Sequence, residues 1–124
     1  MSKVVLNIGL NIGTIEPATQ LQNVIMKLAK NDFIVRNVKI INGHWLQADG
    51  VKIEERTLVV ETTSKFFGRL LKRNVEYVAT QLNQDSIAVR EYLDYELFED
   101  YLVYNWDWVG DKQEFKSEFF TDFN

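Results

Sequence analysis

Two hydrophobic rhythms take turns along this chain of 124 residues, and their order restricts the fold more than any other feature. Val4, Leu6, Ile8 and Leu10 alternate with Val5, Asn7, Gly9 and Asn11, the period of two expected of a half-buried strand. Gly13 and Thr14 break it. Pro17 suits the first turn of a helix, and Leu21, Val24, Ile25 and Leu28 follow helical spacing up to Asn31-Asp32. Residues 33–42 are rich in β-branched types and predict a second strand, residues 51–61 a third. Asn42-Gly43 and Asp49-Gly50 between them are turn signals that predict a hairpin. Thr62-Thr63-Ser64 offers an N-cap to a second helix with the stripe Phe67, Leu70, Leu71, Val75, Val78, Ala79 and Leu82, ending near Asn83. Residues 85–93 predict a fourth strand.

The order β-α-β-β-α-β predicts an α+β, ferredoxin-like fold: a four-stranded antiparallel sheet with two helices on one face. The off-phase residues Asn7, Asn37, Lys39, Arg90 and Tyr92 are then assigned to the open face. The third strand has Val51-Ile53 and Leu58-Val60 on opposite parities, which predicts a bulge near Glu54-Glu55. Residues 94–124 are expected to form an extension packed on the 1–93 body within a single domain. In it, residues 101–108 predict a fifth strand, and Phe115, Phe119 and Phe123 predict a short closing helix.

Charge divides the chain unevenly. Residues 91–124 hold 11 of the 16 aromatic residues and ten acids against two bases, a net −8. Residues 1–90 carry twelve bases and eight acids, a net +4, and the whole chain is at −4. That acidic balance argues against wholesale nucleic-acid binding. The absence of cysteine excludes disulfides and thiolate metal sites. No apolar run reaches the roughly 18 residues of a membrane span, and the start reads as a strand rather than a signal peptide. A cytoplasmic location is expected, with no cofactor and no metal.

Gly43-His44-Trp45, Glu54-Glu55-Arg56-Thr57-Leu58 and Gln84-Asp85-Ser86-Ile87 resemble a family of short, uncharacterised bacterial and phage proteins with this same β-α-β-β-α-β layout. The resemblance covers about residues 1–93. It implies the fold and a microbial or phage source, and it carries no activity.

Several residues could carry chemistry. His44, the single histidine, lacks the partners of a metal or nucleophilic site and is read as an exposed hairpin-tip residue. Glu54 and Glu55, as strand neighbours, face opposite ways and cannot form a carboxylate pair unless a bulge rotates one of them. Lys65, Arg69, Lys72 and Arg73 share one stripe of the second helix, either an anion-binding edge or a solvated face. The glycines match no phosphate-binding loop. No catalytic residue is assigned.

Three functions are weighed. The first is a non-enzymatic interaction protein, a phage or mobile-element inhibitor that docks on a basic host-protein surface or on a second copy as a homodimer. Its contact residues would be Asp94, Glu96, Glu99, Asp100, Trp106, Asp107 and Trp108. The second is a binder of an anionic small molecule through Asn7, Lys39, Arg90 and Tyr92, between the open sheet face and the extension. The third is an enzyme using Glu55, Ser86 or His44.

Overall fold

A computed structural model describes residues 2–10, 17–46 and 50–109. It has the order β1 (Ser2–Gly9), α1 (Pro17–Lys30), β2 (Phe33–Leu46), β3 (Lys52–Ser64), α2 (Gly68–Gln81), β4 (Ser86–Leu93) and β5 (Glu96–Tyr104). The strands form one antiparallel sheet in the order β2-β3-β1-β4-β5. This α+β sheet has five strands where the sequence predicts a four-stranded body.

The period of two is realised as two unlike faces. Val4, Leu6 and Ile8 join Leu58, Val60, Ile87 and Val89 under both helices, where Val24 and Leu28 of α1 meet Leu71, Val75, Val78 and Ala79 of α2. Each such aliphatic side chain, fully removed from water, contributes about 1.5–3 kcal/mol. The opposite parity carries a smaller buried cluster, Val5, Val59 and Ala88, with Ile41, Tyr92 and Leu102 packed against it.

Local chemistry explains the helix ends. At the end of α1, the Asn31 side-chain amide donates to Lys27 O at 2.7 Å and Gln81 Oε1 at 2.9 Å. Asp32 then takes φ 67°, the left-handed exit that Asp tolerates better than most residues. Helix α2 ends in the same way: Asn83 has φ 54°, and Gln84 N donates to Ala79 O at 2.9 Å.

Five expectations need correction. The Asn42-Gly43-His44-Trp45 segment is not a turn. It continues β2, with His44 paired to Glu54 and Gly43 to Glu55, because the ladder is extended by backbone bonds that do not depend on turn propensity. No bulge interrupts β3 near Glu54-Glu55; the irregularity lies in β2, between Val35 and Asn37. Thr62, Thr63 and Ser64 are strand residues rather than a helix cap. The cap of α2 comes from far along the chain, where Gly68 N donates to Glu91 Oε2 at 3.1 Å. With α2 starting at Gly68, Phe67 and Leu70 fall outside its buried stripe and are exposed. The fifth strand begins at Glu96, five residues earlier than expected. It is joined to β4 by a two-residue turn whose Asp94 and Tyr95 both have positive φ, 50° and 66°. That is the type I′ geometry, which normally uses Asn-Gly. The closing helix expected at Phe115, Phe119 and Phe123 lies outside the described residues.

Candidate functional site

The sheet register brings the open-face residues onto shared rows. Lys39, Val59, Asn7, Ala88 and Leu102 form one row across five strands, and Asn37, Glu61, Val5, Arg90 and Asp100 the next. Asn7, Lys39 and Arg90 therefore do share a face, as their phase predicts. Tyr92 packs on the same cluster and lies beneath the Lys3 ammonium, 4.5 Å from its ring centre. Arg90 is engaged internally. Its guanidinium is bidentate on Asp100, at 2.8 and 2.9 Å, the geometry in which Arg binds carboxylate best.

The predicted partner-binding residues divide in two. Asp100 is taken up by Arg90. Glu99 pairs with Lys72 at 3.5 Å. Trp106 donates its indole N–H to Glu76 and leans on Tyr77, with ring centres 5.7 Å apart. Trp108 stacks on Tyr104 at 6.2 Å. Asp94, Glu96 and Asp107 remain exposed. The basic stripe of α2 is also broken up: Lys65 pairs with Asp32 at 3.4 Å, Lys72 turns to Glu99, and the helix start already holds the Glu91 carboxylate. An open cavity of about 240 Å³ lies between α2 and β5. Its Lys72 ammonium sits over the Tyr101 ring at 4.6 Å as well as beside Glu99.

A different constellation forms where β1 and β2 end and β3 and β4 begin. Glu55 faces Gly43 across the β2–β3 ladder, and Thr57 faces Gly9 across β1–β3. The Glu55 carboxylate folds over Gly9 so closely that a Cβ built there would sit 1.8 Å from Oε1. The Gln84 side-chain oxygen is 3.3 Å from the same point. A Cβ on Gly43 would meet Thr57 Oγ1 at 2.2 Å. The two glycines thus make room for two polar side chains that lean across neighbouring strands. Thr57 is buried, and its hydroxyl donates to Glu55 O at 3.2 Å.

Glu55 is half-buried, and among the described residues its carboxylate has neither a hydrogen bond nor an ion pair. Its pKa is raised above the ordinary carboxylate range, first by burial and second by the negative charge of Asp85. Both causes disfavour the ionised form. The Gln84-Asp85 segment is pinned against the end of β5: Asn105 N donates to Asp85 O at 3.1 Å, and the Asn105 amide to Gln84 O. Among the described residues, Asn105 Oδ1 and the Trp108 indole nitrogen are buried there with no hydrogen-bond partner, which is uncommon in folded proteins.

The sequence offers Glu55 as a carboxylate-pair candidate and as one residue of the enzyme hypothesis, without Gly9, Gly43 and Gln84 as its surroundings. A signal was present: a glycine in a strand marks a close approach. What it approaches depends on register, which no single strand reveals.

No protein-family model and no curated protein sequence matches the chain. Its fold is similar to solved structures of a phage SAM lyase. With that lyase in complex with S-methyl-5′-thioadenosine, the TM-score is 0.61 at 13% identity, over 83% of this chain and 88% of the other. With the apo lyase it is 0.59 at 13% identity, over 87% and 91%. At that identity, what the chain shares with the phage lyase is its fold.

Proposed function

We propose that this chain is a phage-type protein that binds an adenosyl-sulfur compound of the S-adenosylmethionine (SAM) class around Glu55 and cleaves it. Glu55 carries the reading. Its carboxylate is partly desolvated and lacks a cation among the described residues, and a ligand with a positive centre would supply one. The fold shared with a phage SAM lyase, seen with S-methyl-5′-thioadenosine, supports the ligand class. In such a cleavage a carbon–sulfur bond of the sulfonium breaks and both electrons go to sulfur. A cation becomes a neutral thioether, and the charge left on carbon is balanced when the ligand's own carboxylate oxygen closes on that carbon or the adjacent carbon gives up a proton. The attraction to Glu55 is then lost on reaction, which favours product release. Glu55 must be ionised to act in this way, so its raised pKa makes affinity for a cationic ligand fall on acidification.

We read β2-β3-β1-β4 with α1 and α2 as the ferredoxin-like split arrangement, and β5 as a strand added at its edge. Calorimetric titration of the full chain with SAM and with S-methyl-5′-thioadenosine, alongside chromatography for the thioether product, tests the function. SAM should bind, and Glu55→Gln should weaken it at least about tenfold, roughly 1.4 kcal/mol, while changing binding of the neutral thioether little. If neither compound binds, or if Glu55→Gln binds SAM as the unaltered chain does, the reading fails.

An interaction role keeps one supporting observation, the exposed acids Asp94 and Glu96 beside exposed apolar residues at the β4–β5 turn. A host-protein inhibitor would use that tip in place of Asp100, Glu99 and Trp106, which the fold engages internally.

A further inference from the structure

The surface where the β4–β5 turn meets the start of α2 is apolar and carries both signs of charge. The turn presents Leu93, Tyr95 and Phe98 to water, with Tyr95 97% exposed, and between them stand the exposed acids Asp94 and Glu96. The first turns of α2 present Phe67 and Leu70, 65% and 61% exposed, beside the exposed cations Arg69 and Arg73. None of these four charged residues has an ion pair among the described residues. Two contacts hold the halves side by side: Gly68 N on the Glu91 carboxylate at 3.1 Å, and Lys72 with Glu99 at 3.5 Å.

Two features point to a covering partner. Five large apolar side chains in neighbouring segments exceed the scattered exposure normal for a monomer. The turn also holds Asp94 and Tyr95 in the left-handed region, where glycine is the low-strain residue. An aromatic ring is thereby thrust outward from a backbone that disfavours it, the kind of outlier that marks functional surfaces.

We propose that the occupant is a second copy of this chain, related by a two-fold axis. One surface holds an acidic apolar half and a basic apolar half. A two-fold rotation lays the acidic half of each copy on the basic half of the other, so the contact forms twice and closes. The same complementarity runs through the whole sequence, with −8 in residues 91–124 and +4 in residues 1–90.

Sedimentation equilibrium of the full chain tests this at about 0.1 M and about 1 M ionic strength, between which the screening length falls from about 10 to about 3 Å. A dimer is expected, with its dissociation constant raised at least about tenfold at the higher salt. Asp94→Lys/Glu96→Lys and Arg69→Glu/Arg73→Glu should each be monomeric, because each homodimer opposes like charges twice. Mixed in equal amounts, the two variants should form a heterodimer, since both contacts become attractive again. The substituted residues are exposed, and circular dichroism with melting curves confirms that each variant is folded. The milder Asp94→Asn/Glu96→Gln should weaken the dimer without abolishing it. A chain that is monomeric at every concentration overturns the proposal and leaves the surface to a foreign basic protein. So does a dimer insensitive to both charge reversals, or a mixture that stays monomeric.

Discussion

Glu91 and Glu55 are two carboxylates withdrawn from water in one sheet, and the protein treats them in opposite ways. Glu91 is 2% exposed and accepts from two donors, Gly68 N at 3.1 Å and the Tyr101 hydroxyl at 2.7 Å. It joins β4, β5 and the start of α2, where the helix dipole also favours a negative charge. Burial first, then the bond to Glu91 and the charges of Glu91 and Glu99, push the Tyr101 phenol well above its usual range. That hydroxyl therefore stays a donor at every physiological pH. Glu55 has no donor among the described residues, and an acid, Asp85, raises its pKa further. A buried charge that serves the fold is given partners. One left without them is a cost to stability, of the kind functional sites carry.

Substitutions can break this contrast, beginning with the largest expected effect. Glu91→Ala should destabilise by about 3 kcal/mol or more, because it strands the Gly68 amide and the Tyr101 hydroxyl and leaves a void. Urea unfolding measures it, and a loss under about 1 kcal/mol would remove Glu91 from its structural role. Tyr101→Phe should cost about 1–2 kcal/mol by the same measurement, since Glu91 keeps its bond to Gly68.

Glu55→Gln should act in the other direction. A carboxyl with its pKa raised on folding binds its proton more tightly in the native state, so its contribution falls as pH rises from the unfolded value through the folded one. The variant should melt higher than the unaltered chain at neutral pH and match it in acid below both values. Melting curves across that range check the sign, and a drop at neutral pH would make Glu55 a structural group like Glu91. Gly9→Ala should have the smallest effect on melting, because the clash is with the mobile end of Glu55, which can swing into water. Its consequence is electrostatic. The Glu55 carboxyl, followed by NMR titration, should return toward the ordinary carboxylate range, and binding of SAM should weaken.

Much of this was legible in the sequence, and the exceptions share a cause. The phase of β1, β2 and β4 put Asn7, Lys39 and Arg90 on one face because side chains alternate strictly along a strand. Pro17 and the Leu21–Leu28 spacing located α1. The misreadings concern partners distant in sequence. Ser64 looks like a helix cap, yet its hydroxyl accepts from Phe66 N at 3.0 Å while Glu91, 23 residues beyond Gly68, caps α2. Asn42-Gly43 looks like a turn because a glycine needed beside Thr57 is indistinguishable from one needed for a bend. Asp94-Tyr95 does not look like a turn, since neither residue is glycine. The notch around Glu55 draws on β1, β2, β3 and the α2–β4 connection, and only their registers bring it together.

The central place of β1 has a consequence for synthesis. This strand leaves the ribosome before the others, but its two neighbours, β3 and β4, are completed only at Ser64 and Leu93. At about 5–20 residues per second, both edges of Val4-Val5-Leu6 stay open for roughly 3–11 seconds, until β3 is made, and one edge for roughly 4–17 seconds, until β4 is made. An apolar strand with unpaired edges is an aggregation template for that time. The nascent chain therefore needs shielding longest at β1, and slower translation of β3 through β4 should lower the yield of soluble protein.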